Sequence, residues 1–228
     1  MKISMIVFDM AGTTIDEDNI VYKTLHKSIQ AEGVNVTLED VLTYGAGKEK
    51  FNAIQDIVNF FGTKEQESLS HKIFDSFLIN LKLAYSNADI KGMQNAEEVL
   101  VNLRSQNILV VLNTGYDRPT AVSLLDKINW KQSYHYDLLV TASDVKNSRP
   151  APDMITHAMS LFSIINPKLV IKVGDSKIDI EEGKNALCLY SIGITTGAHS
   201  AHQLAEANPD FIINSLVELP LIISNIKN

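Results

Sequence analysis

The sequence is short of the residues that would staple or anchor a chain. It has one cysteine, Cys188, so no internal disulfide can form. Set in the run Ala186-Leu187-Cys188-Leu189-Tyr190, that thiol reads as a buried, inert core group. No apolar run is long enough to span a bilayer. The first of them, Ile3 to Phe8, is closed by Asp9 and is also too short for the apolar region of a secretory signal. The expected location is the cytoplasm, with no membrane partner. Basic charge is in deficit, 20 Lys and Arg against 27 Asp and Glu, for a formal net charge of -7. Nothing global therefore draws nucleic acid or anionic lipid, and no nucleic-acid partner is expected, although a local basic pocket is compatible with an acidic surface. The six histidines are scattered, and no pair has metal-ligand spacing beside a cysteine or carboxylate cluster, which argues against zinc. Trp130, the single tryptophan, reads as packing.

What is present is ordinary for a globular protein: 45% hydrophobic and 21% charged residues in a chain of 228, enough for one core domain and a small insert. Ile3 to Phe8 reads as a buried strand running into the turn Asp9-Met10-Ala11-Gly12-Thr13-Thr14. From about residue 20 to 88 the periodicity is helical: Val21, Leu25 and Ile29 at spacing four, then Phe51, Ile54, Ile57, Val58 and Phe61, then a long helix from Lys64 to Tyr85. The acidic run Asp16-Glu17-Asp18 reads as a solvated linker into that block. After Gly92, apolar strands at 108–112, 138–140, 169–173, 189–194 and 211–213 alternate with helices. That alternation predicts a three-layer, doubly wound parallel α/β sheet, with the first strand in the same sheet. The expected domains are a core of residues 1–16 and 89–228 and a helical cap of residues 17–88.

In open parallel sheets, ligands bind beyond the carboxyl ends of the strands. Polar clusters follow the apolar strands here: Asp9, then Asn113-Thr114-Gly115, then Arg149, then Gly174-Asp175-Ser176 with Asp179. Converged on one crevice, they form a coherent chemistry. A carboxylate can attack phosphorus and divide one difficult displacement into two easier ones. Further carboxylates can hold magnesium, which offsets the repulsion between that nucleophile and a phosphoryl dianion. Thr114 and Arg149 can bind phosphoryl oxygens. Gly12 and Gly115 can let backbone N–H groups approach them.

This set resembles the haloacid dehalogenase superfamily over nearly the whole chain. The resemblance implies that Asp9 is the nucleophile and a magnesium ligand. It adds the backbone carbonyl of Ala11 and the side chain of Asp175 as ligands, with Asp179 orienting a metal-bound water. Most phosphatases of the superfamily carry an acid–base aspartate two residues after the nucleophile. Here that position is Ala11, which cannot transfer a proton.

The Asp-Met-Ala-Gly-Thr-Thr loop, with arginine in Arg149-Pro150-Ala151-Pro152, is similar to the phosphonatase subgroup, whose substrate is an aldehyde phosphonate. There a cap lysine forms a Schiff base with the aldehyde, and the leaving group becomes an enamine that needs no acid at the Ala11 position. In Gly45-Ala46-Gly47-Lys48 the lysine aligned with that role is Lys48, with Gly47 beside the substrate. Lys50 lies two residues on, pointing another way on a helix. Tyr116 also matches the subgroup and is expected to line the pocket. Phe51, Tyr44 and Asn19 stand where the subgroup has a histidine, a methionine and a cysteine, so no proton shuttle for imine chemistry is visible. The leading expectation is a magnesium-dependent phosphonatase-like hydrolase of a small carbonyl-bearing phosphonate. The alternatives are a phosphomonoester phosphatase and a non-catalytic phosphate-binding module. By resemblance, a homodimer through the cap is expected.

Overall fold

A computed structural model describes residues 2–62 and 66–226. In chain order its elements begin with β1 (Met5–Asp9) and β2 (Ile15–Asp16), followed by α1 (Ile20–Ala31), α2 (Leu38–Gly45), α3 (Lys50–Phe61) and α4 (Gln66–Asn87). The expected start of the fourth helix at Lys64 lies outside the described residues. Then come β3 (Lys91–Gly92), α5 (Ala96–Ser105), β4 (Leu109–Thr114), α6 (Arg118–Lys127), β5 (Leu138–Thr141) and α7 (Asp153–Leu161). The chain continues with β6 (Val170–Gly174), α8 (Lys177–Asn185), β7 (Tyr190–Ile194), α9 (Ala201–Ala205), β8 (Phe211–Ile213) and α10 (Leu219–Ser224).

Six strands form one sheet in the order β5-β4-β1-β6-β7-β8, and every pairing within it is parallel. The first strand takes the centre because it is apolar on both faces, as a doubly covered parallel strand must be. Its Ile6 and Phe8 pack into one apolar cluster, and Met5 and Val7 pack into another. The three-layer reading of the sequence therefore holds. Chain order reverses about β1, whose neighbours are β4 and β6, and this reversal opens the ligand crevice of such sheets. Asp9 lies opposite Asn113, and Phe8 opposite Val173. The register thus brings Asp9, Thr114 and Asp175 to one edge.

The four helices α1 to α4 occupy the interval between β2 and β3, and β2 pairs antiparallel with β3. That two-residue ribbon, which periodicity does not announce, gathers the two crossings between helical block and sheet. Inside the block, Val21, Leu25, Ile29, Ile54, Ile57, Ile73 and Phe77 are fully buried. They share one apolar cluster with the sheet's Ile6, Phe8 and Leu112, so burial of that face holds the block onto the crevice. Cys188 is buried, and burial pushes its thiol up to about 12, consistent with an unreactive core group. No helix among the described residues is long and apolar enough to cross a membrane.

Candidate active site

Asp9 ends β1 inside the protein, 6% exposed. Its Oδ1 accepts from Arg149 Nη1 at 2.6 Å. The same Nη1 lies 2.9 Å from Asp179 Oδ1, and Arg149 Nε lies 3.1 Å from Glu182 Oε2. Arg149 Nη2 donates to the backbone oxygen of Asn113 at 2.7 Å and to its side-chain oxygen at 2.5 Å. Lys172, in the middle of β6 and fully buried, reaches Asp179 at 2.9 Å, Glu182 at 3.1 Å and Asn113 Oδ1 at 2.6 Å. Asn113 in turn donates from Nδ2 to both Glu182 oxygens. Arg149, Lys172, Asp9, Asp179 and Glu182 are thus paired with opposite charge, the condition under which such groups tolerate removal from water, although Arg149 Nε and Asp179 Oδ1 meet only ion-pair contacts and no aligned hydrogen bond.

Asp175 follows β6 and accepts from Ala198 N at 2.6 Å and Thr13 Oγ1 at 3.3 Å. Asp179 closes the N-terminus of α8: Ser176 accepts from its backbone N–H, and its carboxylate accepts from the Ser176 N–H and hydroxyl. This reciprocal cap ties a site residue to the helix start. Asp9, Asp175 and Asp179 each offer an oxygen within 4.8 Å of the others. Burial raises the Asp9 carboxyl, and the neighbouring Asp179 charge adds to this against the pull of Arg149. Burial, then the charges of Asp9 and Asp179, push Asp175 well above the usual carboxylate range. Burial would raise Asp179 as well, but Arg149 and Lys172 hold it below that range. Three buried carboxylates that repel one another and present only oxygen donors fit a hard divalent cation.

Both glycines, Gly12 and Gly115, permit close approach of neighbouring groups. Gly12 adopts φ +87 and spends its N–H on the Ile15 carbonyl at 2.9 Å. A Cβ there would lie 2.5 Å from Asp175 Oδ2, so its role is close approach of the loop to that carboxylate. At Gly115 a Cβ would lie 2.8 Å from the Lys48 carbonyl oxygen. The missing side chain lets the helical block sit directly on the loop after β4. Thr114, 2% exposed, accepts from Tyr116 N at 3.2 Å. Ala11 stands in the loop between β1 and β2, bridged to Ile15.

The geometry sets the two lysines Lys48 and Lys50 in different surroundings. Lys48 Nζ turns outward and donates to Asp56 at 2.5 Å. Glu49 caps α3 by accepting from Phe51 N and Asn52 N, and this starts the helix at Lys50. Lys50 then falls on the buried stripe with Ala53, Ile54, Ile57 and Val58. It is 7% exposed. Its Nζ donates to the Lys48 carbonyl at 2.8 Å and lies 5.3 and 5.4 Å from the ring centroids of Tyr22 and Tyr116. Burial lowers its pKa to about 8, against the raising influence of Asp9 and Glu49. Gly47, expected beside the substrate, gives its N–H to Tyr22 Oη at 3.1 Å.

Glu17 departs from the linker reading. Asp16 and Asp18 are exposed as a solvated linker should be, but Glu17 is 3% exposed. Its Oε2 accepts from Val21 N at 3.0 Å and from Tyr85 Oη at 3.0 Å. Tyr85 Oη is 2.7 Å from Tyr116 Oη. Burial raises the Glu17 carboxyl to about 7. Sequence reasoning missed Lys172, Glu182, Lys50 and Glu17. For Lys172 a signal existed, a lysine inside the apolar strand Val170-Ile171-Lys172-Val173, which requires partners if the strand is covered on both faces.

Comparison with known proteins places these features in a family. The family model described as haloacid dehalogenase-like hydrolase matches residues 6–192. The phosphonoacetaldehyde hydrolase of Latilactobacillus sakei is 27% identical, with 97% of this chain and 95% of that protein covered. That of Lactiplantibacillus plantarum is 28% identical, with 100% and 97% covered. Among solved structures, a phosphonoacetaldehyde hydrolase-like protein from Oleispira antarctica has a TM-score of 0.85 at 23% identity, over 99% of this chain and 92% of that one. A predicted phosphoglycolate phosphatase from Haemophilus somnus has a TM-score of 0.80 at 18% identity, over 97% and 98%.

Proposed function

This chain belongs to the haloacid dehalogenase-like hydrolase family, and from that premise we propose that it cleaves the carbon–phosphorus bond of a small carbonyl-bearing phosphonate. The amine used is that of Lys50. The observation that carries this reading is the burial of Lys50 against Tyr22 and Tyr116, with a pKa of about 8, in a site whose Ala11 offers no acid for an ordinary ester. An amine must lose its proton to attack a carbonyl, and a buried lysine does so near neutrality.

Lys50 condenses with the carbonyl to give an iminium, which draws electrons from the carbon–phosphorus bond. Asp9 attacks phosphorus as that bond breaks, and the pair of the carbon–phosphorus bond passes into an enamine. A proton from water adds to the enamine carbon and regenerates an iminium; water then hydrolyses the aspartyl phosphate to phosphate, and hydrolysis of the iminium releases the aldehyde and frees Lys50. Thr114 and Arg149 bind and orient the phosphoryl oxygens, with charge-assisted bonds from the guanidinium. Asp9, Asp175 and the Ala11 carbonyl, with Asp179 through a water, would hold magnesium. When bound, that ion neutralises the charge of nucleophile and phosphoryl group. The helical block, seated on Gly115 and bonded through its Leu42 carbonyl to His199 at 3.2 Å, acts as a cap that excludes water.

A substrate panel tests this. With magnesium, phosphonoacetaldehyde should release phosphate and acetaldehyde far faster than sugar or nucleotide monophosphates, and Lys50→Ala should lose that reaction. Efficient turnover of phosphate monoesters, unaffected by Lys50→Ala, would instead establish a phosphomonoester phosphatase.

A further inference from the structure

The histidine of the phosphonatase subgroup is absent from this chain, with Phe51 in its sequence position, so the imine chemistry proposed for Lys50 needs another carrier of protons. One cluster outside the phosphoryl site has the required form. Glu17 is a carboxyl buried where a linker enters the helical block, and it is paired with no salt-bridge cation among the described residues. Its Oε2 receives the hydroxyl of Tyr85 from α4 at 3.0 Å. Tyr85 has a single proton, so with Glu17 ionised the 2.7 Å contact between the two hydroxyls must be a donation from Tyr116 to Tyr85. Both protons then point toward Glu17, and the Tyr116 oxygen keeps its acceptor capacity. With Glu17 protonated, the chain can reverse. Tyr116 and Lys50 line the same small cavity of about 50 Å³ with Phe74, Phe77 and Gly115, and Lys50 Nζ lies against the Tyr116 ring.

We propose that Glu17, acting through Tyr85 and Tyr116, is the proton relay that serves the Lys50 amine during imine formation. This rests on the Lys50 reading above. Ionised Glu17 takes one proton from the Lys50 ammonium through the hydroxyl chain and a water in the cavity that Tyr116 and Lys50 both line. The freed nitrogen pair forms the C–N bond while the carbonyl π pair moves onto oxygen, and one nitrogen proton passes to that oxygen. The C–O bond then breaks, and the departing oxygen takes the relayed proton back from Glu17. The products are the iminium and one water, and Glu17 is ionised again. The charged and titratable groups around the relay are Tyr22 from α1, Lys50 and Glu49 from α3, Tyr85 from α4, and Asp9 and Arg149 from the sheet side. The carboxyl at about 7 and the amine at about 8 are closely matched, so proton exchange between them costs little.

The bland role of Glu17 is to cap α1 through Val21 N. Glu17→Gln keeps an oxygen for that bond and for Tyr85 while removing the titration. The test is the rate at which borohydride traps an adduct of phosphonoacetaldehyde on Lys50, measured from pH 5 to 9. In the wild-type protein the rate should rise through about pH 7 as Glu17 ionises. Glu17→Gln should slow trapping at pH 7 by about 100-fold and leave only the later rise due to Lys50. Tyr85→Phe, which interrupts the relay but keeps the carboxyl, should slow it in the same direction and carries the test if Glu17→Gln fails to fold. Wild-type rates and an unchanged pH profile in a folded variant would overturn the relay alone. Absence of any trapped adduct in the wild-type protein would overturn the imine reading and the relay with it.

Discussion

Lys48 and Lys50, two residues apart, turn different ways: the first meets Asp56 at 2.5 Å, and the second turns inward to donate to the carbonyl of the first at 2.8 Å. If the inward amine is the reactive one, Lys50→Ala should reduce kcat on phosphonoacetaldehyde on the order of 10³-fold, the scale of losing a covalent catalyst. Lys48→Ala should cost less than about tenfold, because an exposed ion pair contributes little. Steady-state phosphate release by the two variants measures the difference.

Three mutually repelling carboxylates make metal binding a matter of stability as well as chemistry. Magnesium at about 100 times its Kd should stabilise the fold by about 2.7 kcal/mol. Asp175→Asn, which removes one oxygen charge from the cluster, should abolish most of that shift. Thermal melting with and without magnesium or a chelator reads both.

The network under Arg149 should be costly to break from one side. Lys172 and Arg149 both touch Asp179, Glu182 and Asn113. Lys172→Met leaves two buried carboxylates, Asp179 and Glu182, with one shared cation in place of two, so urea unfolding should show a loss of about 3–5 kcal/mol. Exposed ion pairs such as Lys91–Asp89 should show almost none when broken.

Glu17 has a folded-state pKa raised from 4.5 to about 7. Its protonated form is therefore the one the fold favours. The associated stability is present below about pH 4.5 and is lost as pH rises through about 7. That difference amounts to roughly 3 kcal/mol. Glu17→Gln should melt higher than the wild-type protein at pH 8, and the gap should shrink toward pH 5. A gain in stability with a loss of turnover is expected where a functional group is held against its solvation preference.

Much of the sheet was readable because β1, β4 and β6 are apolar runs ended by Asp9, Thr114 and Gly174-Asp175. Strand ends with that pattern can share only one edge of a parallel sheet. Less readable was which charges face inward. Lys50 is in helical phase with Ala53, Ile54 and Ile57, so its burial was encoded, but only once the helix start was fixed by the Glu49 cap. Glu17 sits between two exposed aspartates. Its burial depends on Tyr85 arriving from 68 residues away, a tertiary event that local pattern cannot report. Glu182 likewise appears in a polar stretch of α8 and is buried by Asn113, Lys172 and Arg149.

The most direct test is to reduce the protein with borohydride in the presence of phosphonoacetaldehyde, digest it and locate the modified lysine by mass spectrometry. The account predicts one modified site, Lys50, retained in Lys48→Ala and lost in Lys50→Ala. Modification of Lys48 instead, or full turnover with no modified lysine, would contradict it.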